Sequence, residues 1–295
     1  MDAADLRVFQ SVAGTGSMNK AALELNTVQS NVTARVKALE DEVGFALFER
    51  TNRGVTLTPA GKRLLPFAAR AARLLEDARR AVADEGTPSG TLVVGSLETT
   101  AALRLSPILA EFASLHPAVD LSLRTGTSRE LVDQVLERSV EGAFVCGPVN
   151  HPDLTVEPFV REELVILTAP AIADFAMLAA RPDLKIVVLK AGCSYRLHLE
   201  ALLARRGIVG VRMLEFGTLE AIISCVSAGL GVTLLPRALL GSVWERGRLR
   251  VHPLPETERW ADTVFIRHRE AYASSALRAF LEIARPAMVK AIAAE

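Results

Sequence analysis

The sequence predicts an α/β protein with an all-α winged helix-turn-helix at its N-terminus. Three observations carry this. Short amphipathic helical patterns crowd the first 45 residues and lead into two small runs around an Asn-Arg-Gly turn. An alanine- and arginine-rich segment follows with apolar residues at spacings of four and three. Beyond Gly90, β-rich runs alternate with helical patterns to the end of the chain.

The elements can be justified in order. "DLRVFQSVA" sets Leu6, Phe9 and Val12 or Ala13 on one helical face, and "GTGS" closes it before "MNKAALEL", which Ser17 is placed to cap. A turn at Asn26 and Thr27 opens "TVQSNVTARVKALEDEVG". On a wheel advancing about 100° per residue, Val28, Val32, Val36, Leu39 and Val43 share one arc there, and Gly44 ends the helix. Thr27 is the expected cap. Two short helices joined by a tight turn, with a third packed on them, make a helix-turn-helix. Leu6, Phe9, Leu23, Leu25, Val32, Val36 and Leu39 are its expected core. "FALFERTNRGVTLTPAG" then reads as a two-stranded wing turning at Asn52 to Gly54.

From Pro59, a helix carries Leu64, Ala68, Ala71, Leu75, Ala78 and Val82 in a heptad seam. With no adjacent unit apparent to cover it, the seam predicts a dimerising helix, which "DEGTPSG" ends as a linker. After the linker, "TLVVGS", "VDLSLRTG", "GAFVCGP", "ELVILTAP", "KIVVLK", "VRMLEF", "GVTLLP" and "DTVFIRH" read as strands. "LSPILAEFASLH", "SRELVDQVLERS", "RLHLEALLARRG", "TLEAIISCVSAG" and "SSALRAFLEIARPAMVKAI" read as helices. The pattern is long enough for two lobes with a ligand cleft between them. The expected domains are 1–60 for the winged helix-turn-helix, 61–90 for the linker helix and hinge, and 91–295 for the two-lobed region. Lobe 1 takes about 91–161 and 267–295, and lobe 2 about 162–266.

Composition bounds the alternatives. Half of the 295 residues are hydrophobic and only 5% are aromatic, so the chain is globular with aliphatic packing dominant. The formal net charge of zero hides a local asymmetry: from Arg50 to Arg73 there are six basic residues and no Asp or Glu. No basic start with a long apolar run and no span of about 18 apolar residues is present, so the expectation is a cytoplasmic chain without membrane contact. Cys146, Cys193 and Cys225 fit neither a disulfide framework nor a zinc cluster, and the five histidines have no metal-ligand spacing, so no metal and no cofactor is expected.

The order of parts, and above all "LE.E.G..LF.R..R.V.LT.AG" within Leu6 to Gly61, resembles the LysR-type transcriptional regulators over the whole chain. The resemblance implies a winged helix-turn-helix on double-stranded operator DNA, a linker helix pairing protomers into a dimer of dimers, contact with RNA polymerase, and lobes like periplasmic binding proteins holding a small-molecule co-inducer. It also implies a regulator and not an enzyme. Matched by position, Gln29, Ser30, Asn31 and Thr33 fall at the start of the recognition helix, and Arg50 and Arg53 in the wing. The chain departs from the pattern at Val28, Ser30 and Ala34, where relatives commonly carry serine, proline and arginine.

On that footing, Gln29 is the expected base reader, since its amide can pair bidentately with adenine in the major groove. Ser30 and Asn31 are adaptable readers, while Thr33 and Lys37 bond phosphates, which fix register without carrying sequence information. Arg35 lies at the margin of the apolar arc, where packing and DNA contact are both open. Arg53 suits the adjacent backbone or minor groove.

For the effector, hydroxyls at strand ends and helix starts are the expected ligands: Ser96, Thr99, Thr100, Thr125, Thr127, Ser128, Ser194 and Tyr195, with Cys146, Phe216 and Thr218 completing the set. They favour a carboxylate or another anion, and the resemblance implies a small carboxylate or aromatic acid, against which stands Glu98 in the same segment. A peroxide-sensing branch of the family brings Cys193 into view, but no second cysteine lies near it in sequence.

Two rival functions were weighed. An α/β enzyme finds only "GLGV", which lacks a third glycine and precedes its strand. A solute-binding protein has no use for a winged helix.

Overall fold

The computed structural model describes the chain except for residues 52–53, 175–183, 242–246 and 294–295, with backbone alone for 50–51 and 286–293. Two units are present, Met1–Ala83 and Asp84–Glu295.

The first unit opens with α1 (Ala3–Thr15). Asp2 accepts from Asp5 N at 2.8 Å while the Asp5 carboxylate accepts from Asp2 N, a reciprocal cap that satisfies donors at the helix start. Ser17 caps α2 (Met18–Glu24). The third helix, α3 (Gln29–Val43), begins at Val28 without a side-chain cap; Thr27, the expected cap, accepts instead from the Asn31 amide at 2.9 Å. The wing is β1 (Phe48–Thr51) antiparallel to β2 (Gly54–Leu57). Gly54 has φ 128°, and a Cβ there would stand 2.8 Å from the Gly16 carbonyl, so the wing seats against the end of α1 only with glycine.

The core joins Val8, Phe9, Val12, Val32, Val36 and Leu39 with Leu47, Phe48 and Ala68. Leu23, expected in it, is 78% exposed because the short α2 turns Ala21 and Ala22 inward instead. The helix α4 (Pro59–Ala83) also corrects the expectation of an uncovered seam: Leu64 packs on this core and Ala68 lies fully within it. Leu75, Ala78 and Val82 remain exposed further along.

The second unit is built on a sheet ordered β10-β6-β11-β5-β3-β4 among the described residues, with β9 also on β6. Its strands are β3 (Gly90–Ser96), β4 (Val119–Thr125), β5 (Gly142–Cys146), β6 (Leu154–Thr168), β9 (Thr233–Pro236), β10 (Arg250–Pro253) and β11 (Trp260–His268). β7 (Lys185–Leu189) pairs in parallel with β8 (Arg212–Phe216). The helices are α5 (Glu98–Thr100), running through a wider π turn into α6 (Ser106–Leu115), then α7 (Ser128–Leu136), α8 (Ser194–Arg205), α9 (Leu219–Ser227) and α10 (Ser275–Ala293).

The long β6 makes the unit bilobal. Leu154 to Glu163 pair with β11, and Leu164 to Thr168 pair with β9 and β10, so one strand belongs to both lobes. β11 pairs with β5 from Thr263 to Ile266, a stretch in which its pairing with β6 shifts register between Thr263 and Val264, and so it is in the first lobe's sheet before residue 267. Although aromatics are scarce, phenylalanines concentrate in the first lobe, where the Phe144 ring packs at a tilt against Phe159, centroids 4.5 Å apart, and Phe265, 4.9 Å apart. The second lobe packs on aliphatic residues such as Ile186, Leu199, Ile222 and Leu234.

Candidate functional site

Among the described residues, each unit presents a candidate site. In the first, burying Val32, Val36 and Leu39 forces the opposite face of α3 outward. Gln29, Ser30, Asn31 and Lys37 are exposed on it, Thr33 is half-buried, and the small Ala34 leaves the surface low between them. The Gln29 Nε2 donates to Thr33 Oγ1 at 3.0 Å, one turn on, which tethers the exposed amide to the helix surface. No side chain caps α3, and the Asn31 N–H turns back to the Val28 carbonyl at 3.0 Å.

Arg35 faces the other way, donating to Asp5 at 2.9 Å and so pinning α3 to α1. Glu40 takes the N–H groups of Leu47 and Phe48 at 2.7 and 3.1 Å, which fixes the wing's approach to α3. Thr58 bonds the Ala46 carbonyl at 2.7 Å and accepts from Gly61 N at 3.0 Å, so it closes the wing and caps α4. These two are the physical content of the "LE.E.G" and "LT.AG" motifs. Arg50 pairs with Val55 in the wing ladder, and Arg53 lies outside the described residues.

In the second unit the starts of α5 and α7 from one lobe face the starts of α8 and α9 from the other. Contacts between described residues cross from one lobe to the other. Ser128 and Ser194 hydroxyls are 2.9 Å apart, Thr99 Oγ1 donates to Tyr195 Oη at 3.4 Å, Lys190 pairs with Glu130 at 2.8 Å, and Glu98 accepts from Leu219 N at 3.2 Å. The Lys190 ammonium, followed by the Thr127 N–H, holds the Glu130 carboxyl below its ordinary value. Glu98 therefore sits on the N-terminus of α9, where a bound anion was expected, with Thr218 capping the same turn.

The Ser128–Ser194 bridge separates two chambers. The inner, about 120 Å³, is lined by Glu98, Thr99, Thr125, Thr127, Lys190, Cys193, Ser194, Tyr195 and Gly217 among others. The outer, about 710 Å³, is lined by Ser128, Arg129, Val132, Asp133, Cys146, Asn150, Ser194, Leu197 and His198 among others. Ser96 and Thr100 are buried beside the strand end and line neither chamber, and Ser96 spends its hydroxyl on the Leu97 carbonyl. Phe216 and Thr218 line neither chamber and flank Gly217, which lines the inner one.

Burial raises the Cys146 thiol to about 11 and the Cys193 thiol above its ordinary value, so both are protonated near neutral pH and weak as nucleophiles. Among the described residues no group of three His, Cys, Asp or Glu side chains could hold a metal ion, and no helix is long and apolar enough to cross a membrane.

Lys190, Arg129, Asn150 and His198 escaped sequence reasoning that looked for hydroxyls. Lys190 directly follows a strand and Arg129 falls in a first helical turn, so a search of those places for every polar side chain finds two of the four, while His198 stands one turn further into its helix.

Comparison with known proteins adds two profile matches, two relatives and two solved structures of similar fold. The profile described as bacterial regulatory helix-turn-helix protein, lysR family, matches residues 3–62, and that of the LysR substrate binding domain matches residues 85–289. A Bacillus subtilis protein described as the uncharacterized HTH-type transcriptional regulator YusT is 44% identical over 97% of this chain and 96% of its own. The HTH-type transcriptional regulator GltR of the same organism is 42% identical over 94% and 93%. Among solved structures, CbnR complexed with its target DNA has a TM-score of 0.62 at 23% identity, covering 97% of this chain and 100% of its own. A full-length OxyR variant from Pseudomonas aeruginosa has a TM-score of 0.66 at 21% identity, covering 98% and 94%.

Proposed function

The chain belongs to the LysR family of bacterial transcriptional regulators, and from that premise we propose how it reads DNA and what controls it. The polar start of α3 enters the major groove of operator DNA. Gln29 reads an adenine edge, Ser30 and Asn31 adapt to neighbouring bases, Thr33 and Lys37 hold phosphates, and Arg50 and Arg53 of the wing lie along the adjacent backbone. The observation that carries this reading is the Gln29–Thr33 bond on an uncapped, exposed helix start, because it orients an amide toward solvent at low entropic cost. The DNA complex of the fold neighbour CbnR supports it by analogy.

In the second unit, a small carboxylate or aromatic acid occupies the cleft between the lobes and biases the regulator's action at its promoter. Ser128, Cys146 and Ser194 on one side of the bridge, and Thr99, Thr125, Thr127 and Tyr195 on the other, are the cleft's contribution from the expected set. The exposed apolar residues of α4 pair protomers, two pairs form a tetramer, and the assembly works with RNA polymerase.

The direct test is a gel-shift titration of the full chain on the DNA flanking its own gene. Sequence-selective, salt-sensitive retardation is the expected result; retardation indifferent to sequence would sink the reading.

A further inference from the structure

Helical spacing sets Val28 on one arc with Val32, Val36 and Leu39, yet the fold leaves it out of the core. Those three are buried and Val43 is half-buried, while Val28 is 64% exposed. The chain passes through Val28 in extended conformation, φ −99° and ψ 150°, so the residue stands at the head of α3 as its N-cap. Valine suits that position poorly. Ser, Thr, Asn or Asp there would offer an acceptor to the first-turn N–H groups, and valine offers none. Nor does Val28 staple the helix entry, since that contact joins the residue before the cap to the fourth helical residue, here Thr27 and Val32. A β-branched apolar side chain therefore stands in water where a cap would stabilise the helix. Local rules are broken in this way mainly at functional sites.

The position of Val28 says what would cover it. It is the neighbour of Gln29, at the tip of the helix whose polar start is proposed to enter the major groove. Two polar side chains beside it are tethered along the chain, Gln29 to Thr33 at 3.0 Å and Asn31 to Thr27 at 2.9 Å. Valine has no polar atom to engage. The apolar group that a base pair shows in the major groove is the C5 methyl of thymine, which apolar side chains recognise by contact. An adenine read by Gln29 faces a thymine, so the two chemistries belong to the same groove wall.

We propose that Val28 is a specificity-determining residue that packs its methyl groups on a thymine C5 methyl beside the base read by Gln29. The assignment rests on the reading of α3 as the recognition helix and adds to it a contact of another kind. Polar readers exchange water for base edges, whereas this contact removes apolar surface of both partners from water. Burial of one methyl-sized group corresponds to about a fourfold change in binding.

Deoxyuridine in place of thymidine removes the methyl and keeps every hydrogen-bonding group of the base. The full chain is titrated by gel shift against the fragment flanking its own gene, prepared with thymidine or with deoxyuridine throughout, and then against duplexes with one thymidine replaced at a time. The wild-type protein is expected to bind the thymidine form about fourfold more tightly or better, with the loss traced to at least one single position. Val28→Ala and Val28→Ser should bring the ratio at that position within twofold. Leu23→Ala, which removes a 78% exposed apolar side chain from α2, should keep the wild-type ratio. Val28→Ser should also hold or raise the Tm of the free chain, because serine supplies the missing cap.

The proposal is overturned if wild type binds both forms equally, if the ratio survives Val28→Ala and Val28→Ser, if Leu23→Ala abolishes it as well, or if both Val28 variants lower Tm. Any of these leaves the reading of α3 intact as long as binding stays sequence-selective. Retardation indifferent to sequence on either form defeats that reading, and this contact with it.

Discussion

At the scale of single residues, α3 separates side chains that sequence alone leaves together. Gln29 and Lys37 both project outward, yet one is tethered to Thr33 and the other stands without an ion pair among the described residues. Gln29→Ala should relax preference at a single base position, a loss of roughly 1–3 kcal/mol of discrimination, measured by binding to operators altered one base pair at a time. Lys37→Ala should weaken binding alike on all sequences and flatten the dependence of log K on log salt by about one unit, read from titrations at several salt concentrations. Arg35→Ala should do neither: its pair with Asp5 is partly exposed, so the expected effect is a stability loss of no more than about 1 kcal/mol with operator selectivity intact. Sequence periodicity left Arg35 between packing and DNA contact because a margin position on a wheel does not say which neighbour arrives; the partner came from α1, thirty residues away.

At the scale of elements, α4 is two things in one helix. Its first turns complete the core of the first unit through Leu64 and Ala68, and its later turns carry Leu74, Leu75 and Val82 in the open. The heptad spacing was legible, but spacing cannot tell a residue buried within its own unit from one awaiting a second chain. If the exposed part is the pairing seam, Val82→Asp combined with Leu75→Asp should reduce the assembly toward monomer in sedimentation, with little change in Tm of the separate units. Thr58→Ala makes a contrasting case: it removes the cap of α4 and should cost about 1 kcal/mol in denaturant unfolding without changing the assembly. The β strands show a related limit. "ELVILTAP" is only the second half of β6, because Glu157 and Pro158 in its first half look like a loop, although that half pairs with β11 across a register shift.

At the scale of the molecule, the two lobes of the second unit are joined by strands that belong to both and are drawn together by pairs across the cleft. Lys190–Glu130 is the charged one, and its pH behaviour follows from the lowered Glu130 pKa. The stabilisation it lends is present above the ordinary glutamate value of 4.5 and is lost as pH falls through the lower value of the folded state. Acidification below pH 4.5 should therefore loosen the cleft, and Lys190→Met should abolish that part of the acid response, measured as Tm against pH. Both groups are about half exposed, so the effect is small, on the order of a few tenths of a kcal/mol.

The sequence by itself determined the class of fold, the order of its parts and the exposed polar face of α3, because helical and strand periods, a glycine stop and a wing turn are local signals that follow from backbone geometry. Its search for hydroxyls at helix starts named residues that the fold gathers between the two lobes, among them Thr99, Ser128, Ser194 and Tyr195. Tertiary structure alone decided what those ends do. It turned Ser96 and Thr100 inward, placed Glu98 on the helix start where an anion was expected, and split the cleft with a pair of serines. It also set Arg129 and His198 from opposite lobes around one chamber. Those are contacts between residues some 70 to 120 positions apart, and no local period encodes which polar group will meet which.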